Sequence, residues 1–390
     1  MKLNRMLWPV CTALLVWVAG VSTVEAQLPP VPQGTTAVAQ GLFGPRGLKF
    51  GPDGGLYVAL SGPGGTNSTA DVCPQLQVPM AVGGPYTNGN TASIVKVDKK
   101  GNVTTVASGF PSALSQRPDV NGVADIAFLD GELYAVTAGG GCSHGSSIPN
   151  MVAKVNERTG TWTMLANMSE AVAAHPAANV APDFEADGIF YSMIAANGKL
   201  YTVEANHGQI WSVTKKGDVD MVTDVSKVEG HIVPTSAVER GGGLVVSNLG
   251  LFPITPDSEK LLTLEPDCGL LQQWLERCDP GTLQITGSKT PGLTTVVSLA
   301  WGPDGLLYAL ELSDAGGLPT PGAGKVVRVN PNGLAEDVFT GLDVPTGMTF
   351  GPDGALYVSN WGAADAPIGQ ILRISVASGG RPWVSKIPEQ

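Results

Sequence analysis

The sequence predicts an all-β fold, a six-bladed β-propeller of four-stranded antiparallel blades, on three observations. A hairpin-forming segment recurs six times along the chain. The composition of 51 Gly, 30 Pro and only 15% charged residues suits many short strands joined by tight turns. Helical periodicity is scarce after an N-terminal apolar run.

The clearest repeat runs from Gly47 to Val58 and returns at Gly347 to Val358, with Gly-Pro-Asp-Gly and Leu-Tyr unchanged in both. A third copy spans Leu299 to Ala309, and weaker ones span Ile126 to Tyr134, Met193 to Tyr201 and Ala237 to Val245. In each, a short apolar strand meets a turn and a second apolar strand follows. The Asp-Gly and Asn-Gly pairs tolerate the positive φ that tight hairpins need. Third strands are predicted at Ser93–Val97, Met151–Val155, Gln209–Val213, Lys325–Val329 and Gln370–Ile374, and a fourth follows most of them, as at Asn102–Ala107. Four antiparallel strands repeated six times make a propeller. The last unit has no strong fourth strand, whereas Thr35–Gly41, ahead of the first unit, resembles Val103–Gly109. That N-terminal strand is expected to close the ring and remove two open sheet edges, with Trp383-Val384 as a competitor.

Residues 1–26 read as a secretory signal peptide. Lys2 and Arg5 precede an apolar run from Leu7 to Val21, and small residues stand at the cleavage positions. The run is shorter than the roughly 20 residues a bilayer span needs. The expectation is a secreted or periplasmic protein without a transmembrane segment, a monomer whose residues 27–390 form one domain. Removing the signal takes Lys+Arg from 23 to 21 and Asp+Glu from 34 to 33, a net charge of −12. That field repels polyanions and no basic stripe offsets it, so nucleic acid is not an expected partner.

Four cysteines follow the signal: Cys73, Cys142, Cys268 and Cys278. An even count in an exported chain favours disulfides. Cys73 and Cys142 sit in long loops of neighbouring blades, on one face, and are expected to pair. Cys268–Cys278 would staple an insertion on the opposite face, around Trp274.

Function is expected on the face carrying the long second-to-third connections, since long loops on a rigid scaffold carry binding and catalysis. The second strands end there at Leu60, Thr137, Glu204, Asn248, Glu311 and Asn360. Nearby on this reading lie Arg46, Asp125, His144, Asn206, His207 and His231, with His175 on the same face. The oxygen ligands Glu204, Asn248, Glu311 and Asn360 suit Ca²⁺ or Mg²⁺, with Glu204, Glu311 or His207 as general base. Arg46, Asp125, His144, Asn206, His207, His231, Asn248 and Asn360 equally suit direct binding of a polar ligand. A third reading is local: the acidic and amide groups cap backbone N–H groups of the adjoining loops. The Gly139–Gly145 segment places a thiol, a hydroxyl and an imidazole together, but a disulfide-bonded Cys142 cannot act as a nucleophile.

The opening Gly44–Gly54, the long cysteine-bearing loop, Val123-Ala124-Asp125-Ile126 and Ser359-Asn360-Trp361-Gly362 resemble the ScyD/ScyE family of exported propellers related to NHL-repeat proteins. More distantly, the chain resembles the gluconolactonase and senescence-marker-protein group of six-bladed hydrolases. That likeness implies a divalent cation in the channel, with Glu204, Asn248, Glu311 and Asn360 as counterparts in type. The expected function is binding of a small molecule, glycan or protein partner on the long-loop face. The alternative is a divalent-cation-dependent hydrolase or lyase at the channel mouth.

Overall fold

The computed structural model describes residues 28–70, 85–115, 120–180, 183–266, 282–330 and 332–376. The inner strands of six blades, Pro45–Phe50, Val123–Leu129, Phe190–Ala196, Pro234–Arg240, Val296–Trp301 and Gly347–Phe350, pack each against the next, and the last against the first. The ring is a closed six-bladed propeller. The second strands, Leu56–Leu60, Glu132–Thr137, Lys199–Glu204, Gly243–Asn248, Leu307–Glu311 and Leu356–Asn360, return antiparallel to the inner ones. Strand Thr35–Leu42 pairs antiparallel with Gly369–Ile374 and is the outer strand of the sixth blade, as the repeat predicts. The competing Trp383-Val384 lies outside the described residues.

The repeated turn has a physical reason. Asp53, Asp304 and Asp353 each accept the backbone N–H two residues on, at Gly55, Leu306 and Ala355, and each also accepts the hydroxyl of Tyr57, Tyr308 or Tyr357. The tyrosine rings then meet the neighbouring blade edge-on. Tyr57 contacts Phe128, Tyr308 contacts Phe350 and Tyr357 contacts Phe50, with centroids 5.0–5.1 Å apart. Core clusters accordingly span blade pairs, as where Tyr57 and Phe110 pack with Ile126, Leu133 and Met151.

The first blade departs from expectation. Its third strand starts at Thr87 and runs to Val97, so the end of the connection predicted as loop, Ser61–Thr91, is strand. It pairs with Val103–Leu114, and the short strands Asn67–Ser68 and Val120–Asn121 extend the sheet. The run Thr87-Asn88-Gly89-Asn90-Thr91 has no apolar alternation to reveal it. Among the described residues, helix is confined to Met168–Ala174, Ser226–Glu229 and the 3-10 turn Cys142–His144. None is long and apolar enough to cross a membrane.

Candidate functional site at the ring axis

One repeat column, Gly47, Asp125, Ser192, Ser236, Ser298 and Gly347, forms a tier around the axis. Ser236 Oγ accepts from Leu299 N and Ser298 Oγ from Met348 N, each tying its blade to the next. Asp125 does the same by accepting from Met193 N at 2.9 Å, and its other oxygen accepts from Ile126 N at 2.8 Å. Lys49 approaches that carboxylate at 3.7 Å. Burial pushes the Asp125 carboxyl above the usual range, against the pull of Lys49 and the two N–H donors. Ser192 Oγ is buried and without a partner among the described residues.

From this tier a cavity of about 400 Å³ extends toward the Asp-Gly turns, where Phe50, Phe128, Glu239, Trp301 and Thr349 line it. All six inner strands contribute to its wall. On the opposite, long-loop side stand Arg46 and Tyr191, in the column that otherwise holds Ala124, Thr235, Val297 and Thr346. The Arg46 guanidinium lies 4.8 Å above the Tyr191 ring, reaching from the first blade to the third, and Arg46 is 7% exposed.

A second group gathers where the loop before the third blade meets the Cys142–His144 turn. Glu185 is its centre: Tyr86 donates its hydroxyl to Oε1 at 2.7 Å, and His144 Nε2 lies 3.0 Å from Oε2. His144 Nδ1 donates to Gly140 O at 2.8 Å. Burial works to lower the His144 imidazole, but the adjacent Glu185 carboxylate outweighs it and leaves the ring above its ordinary value. His207 Nε2 donates to Glu185 O at 2.7 Å, its ring stacks on Phe184, and its Nδ1 is buried without a partner among the described residues. Asn206 fastens the loop by accepting from Glu185 N and donating to Asp183 O. His231 Nε2 lies 3.1 Å from Asp183, and against the effect of burial it holds that carboxyl below the usual range.

The second-strand ends do not line the axial cavity. Glu204 is fully buried and accepts three backbone N–H groups, from Ile189, Asn206 and His207, at 2.6–2.9 Å. Asn248 donates to Ile232 O and Glu259 and accepts from Lys260 N. Glu311 accepts from Thr294 N and lies 3.6 Å from Lys325. Asn360 accepts from Asp343 N and donates to Gln370. Each ties the connection entering its blade to that blade, which is the capping geometry. Among the described residues no three His, Cys, Asp or Glu side chains come together in a way that could hold a metal ion. The bonds at Glu204, Asn248 and Asn360 engage oxygens that a shared Ca²⁺ or Mg²⁺ would need.

Cys142 is disulfide-bonded. Cys73, Cys268 and Cys278 lie outside the described residues. Sequence reasoning missed Tyr191, Lys49 and the serine tier, although the repeat columns align them. It also missed Tyr86, Asp183 and Glu185, whose only signal is the acidic run Asp183-Phe184-Glu185-Ala186-Asp187.

No protein-family model and no curated protein matches the chain. Solved propellers do. A Bacteroides thetaiotaomicron protein of unknown function is 11% identical, with TM-score 0.54 over 88% of this chain and 76% of that one. A putative oxidoreductase (glucose dehydrogenase) from Thermus thermophilus is 17% identical, with TM-score 0.52 over 87% and 98%. A putative gluconolactonase is 12% identical, with TM-score 0.50 over 90% and 94%. At such identities the likeness establishes the propeller fold.

Proposed function

We propose that this protein is an exported, ligand-binding propeller, of the kind its ScyD/ScyE resemblance implies, that holds a small molecule on the ring axis. The observation that carries the reading is the cavity of about 400 Å³ walled by all six inner strands. Its size falls in the roughly 300–1,000 Å³ range of small-molecule sites. Apolar and polar groups share the wall, with Lys49, Asp125 and Ser192 Oγ, unpartnered among the described residues, as orienting polar groups. A small molecule is favoured over a glycan or protein because the space is walled by the inner strands around an axis and not laid out as a surface groove. The cation-dependent hydrolase or lyase has less support, since the oxygens of Glu204 and Asn360 are engaged by backbone N–H groups.

The test is a thermal-shift screen of neutral and charged small molecules on wild type and Thr349→Trp, whose indole would fill the channel from a partly exposed position. Compounds that raise the melting temperature of wild type should lose their effect in the variant. Ligands that stabilise both proteins equally would contradict an axial site.

A further inference from the structure

We infer that Arg46 is an anion-binding residue and that the axial ligand carries a carboxylate, which pairs with its guanidinium at the long-loop mouth. This rests on the axial-binding reading and specifies the chemistry of its ligand. Arg46 is only 7% exposed, yet among the described residues no carboxylate reaches its guanidinium and no acceptor hydrogen-bonds it. Two other strand arginines are paired, Arg328 with Asp304 and Glu336 and Arg373 with Asp353, whereas Arg240 is exposed to solvent. A largely buried charge without an ion-pair partner is costly, and its remaining solvent contact and the face of one tyrosine ring offset only part of that cost.

The backbone under Arg46 is held firmly. Its carbonyl accepts from Ser359 Oγ at 2.7 Å, and Gly347 approaches so closely that a Cβ there would lie 2.4 Å from that oxygen. The guanidinium lies over the ring of Tyr191, which with Val297 and Thr346 of the same column lines the axial cavity. The rest of its column, Ala124, Thr235, Val297 and Thr346, holds no counter-charge. A ligand anion supplies what the fold omits. Guanidinium presents a planar donor fork that matches a carboxylate. The chain's net charge of −11 disfavours more highly charged anions, so a monocarboxylate is the favoured class.

The probe is benzoate, with neutral benzamide and inorganic phosphate as comparisons at fixed ionic strength, measured by thermal shift and equilibrium dialysis on the full chain. Benzoate should raise the melting temperature saturably, benzamide should not, and Arg46→Met should weaken benzoate at least tenfold. Ligand-free Arg46→Met should melt no lower than wild type, because it removes an uncompensated charge; a structural arginine would lower it. Benzoate binding unchanged in Arg46→Met, equal binding of benzamide, or an Arg46-dependent response to phosphate alone would overturn the assignment. Neutral ligands lost in Thr349→Trp, with benzoate indifferent to Arg46→Met, would leave axial binding standing and remove the carboxylate. Benzoate binding that needs Arg46 but survives Thr349→Trp would keep the anion site and remove the axial cavity.

Discussion

Gly47 and Asp125 share one space: a Cβ on Gly47 would lie 1.8 Å from Asp125 Oδ1 and 2.9 Å from its Cα. The missing side chain in the first blade makes room for the carboxylate of the second. Asp125 uses that room to bond Ile126 N and, across the blade boundary, Met193 N. Gly47→Ala should therefore displace Asp125 and cost about 3 kcal/mol, combining overpacking with lost buried hydrogen bonds. Denaturant unfolding checks it. Asp125→Ser in the same chain, which copies the residue in three other blades, should recover part of the loss.

Glu204 is expected to act as a cap. Glu204→Gln would turn an amide donor toward one of the three N–H groups the carboxylate now accepts, costing about 2 kcal/mol. Calorimetry in Ca²⁺, in Mg²⁺ and in chelator should give one melting temperature for wild type. A metal-dependent rise that Glu204→Gln abolishes would restore the cation site.

The pH dependence has a definite sign. Burial pushes the Glu311 and Glu259 carboxyls up to about 7 each, against Lys325 in the first case and Ser258 and Asn248 in the second. Between about 4.5 and 7 the folded protein thus holds protons that the unfolded chain releases, and stability falls as pH rises through that window. His144, raised beside Glu185, adds stability that is also lost as pH climbs through its folded value. The protein should be more stable at pH 5.5 than at pH 8, by about 2 kcal/mol from the Glu311 carboxyl, and melt at a higher temperature. Glu311→Gln should flatten the slope, and an unchanged slope would refute the assignment to that group.

Removing residues 28–42 should abolish cooperative unfolding, because strand Gly369–Ile374 loses its partner and exposes an edge. Circular dichroism on heating reads the result.

Much of the fold was legible because its signal is local and repeated. Asp53, Gly54, Leu56 and Tyr57 belong to one turn whose parts bond each other, so the same letters recur wherever that turn does. The closing strand was legible because one unit lacked a partner and the N-terminus supplied it. The site was less so. An oxygen-bearing residue at the end of a second strand is visible in sequence, but its engagement by loop N–H groups, as at Glu204, is not. Tyr86 and Glu185 are 99 positions apart, and nothing in either segment announces the other. Arg46 was visible as a residue at a strand start, yet its lack of an ion-pair partner among the described residues exists only in three dimensions.

The most direct measurement is a crystal structure with 4-bromobenzoate, located by bromine anomalous scattering. The account predicts a single strong peak on the ring axis beside Tyr191, with the carboxylate against Arg46. Bromine on the outer rim of the blades, or on the axis with the carboxylate turned away from Arg46, would contradict it.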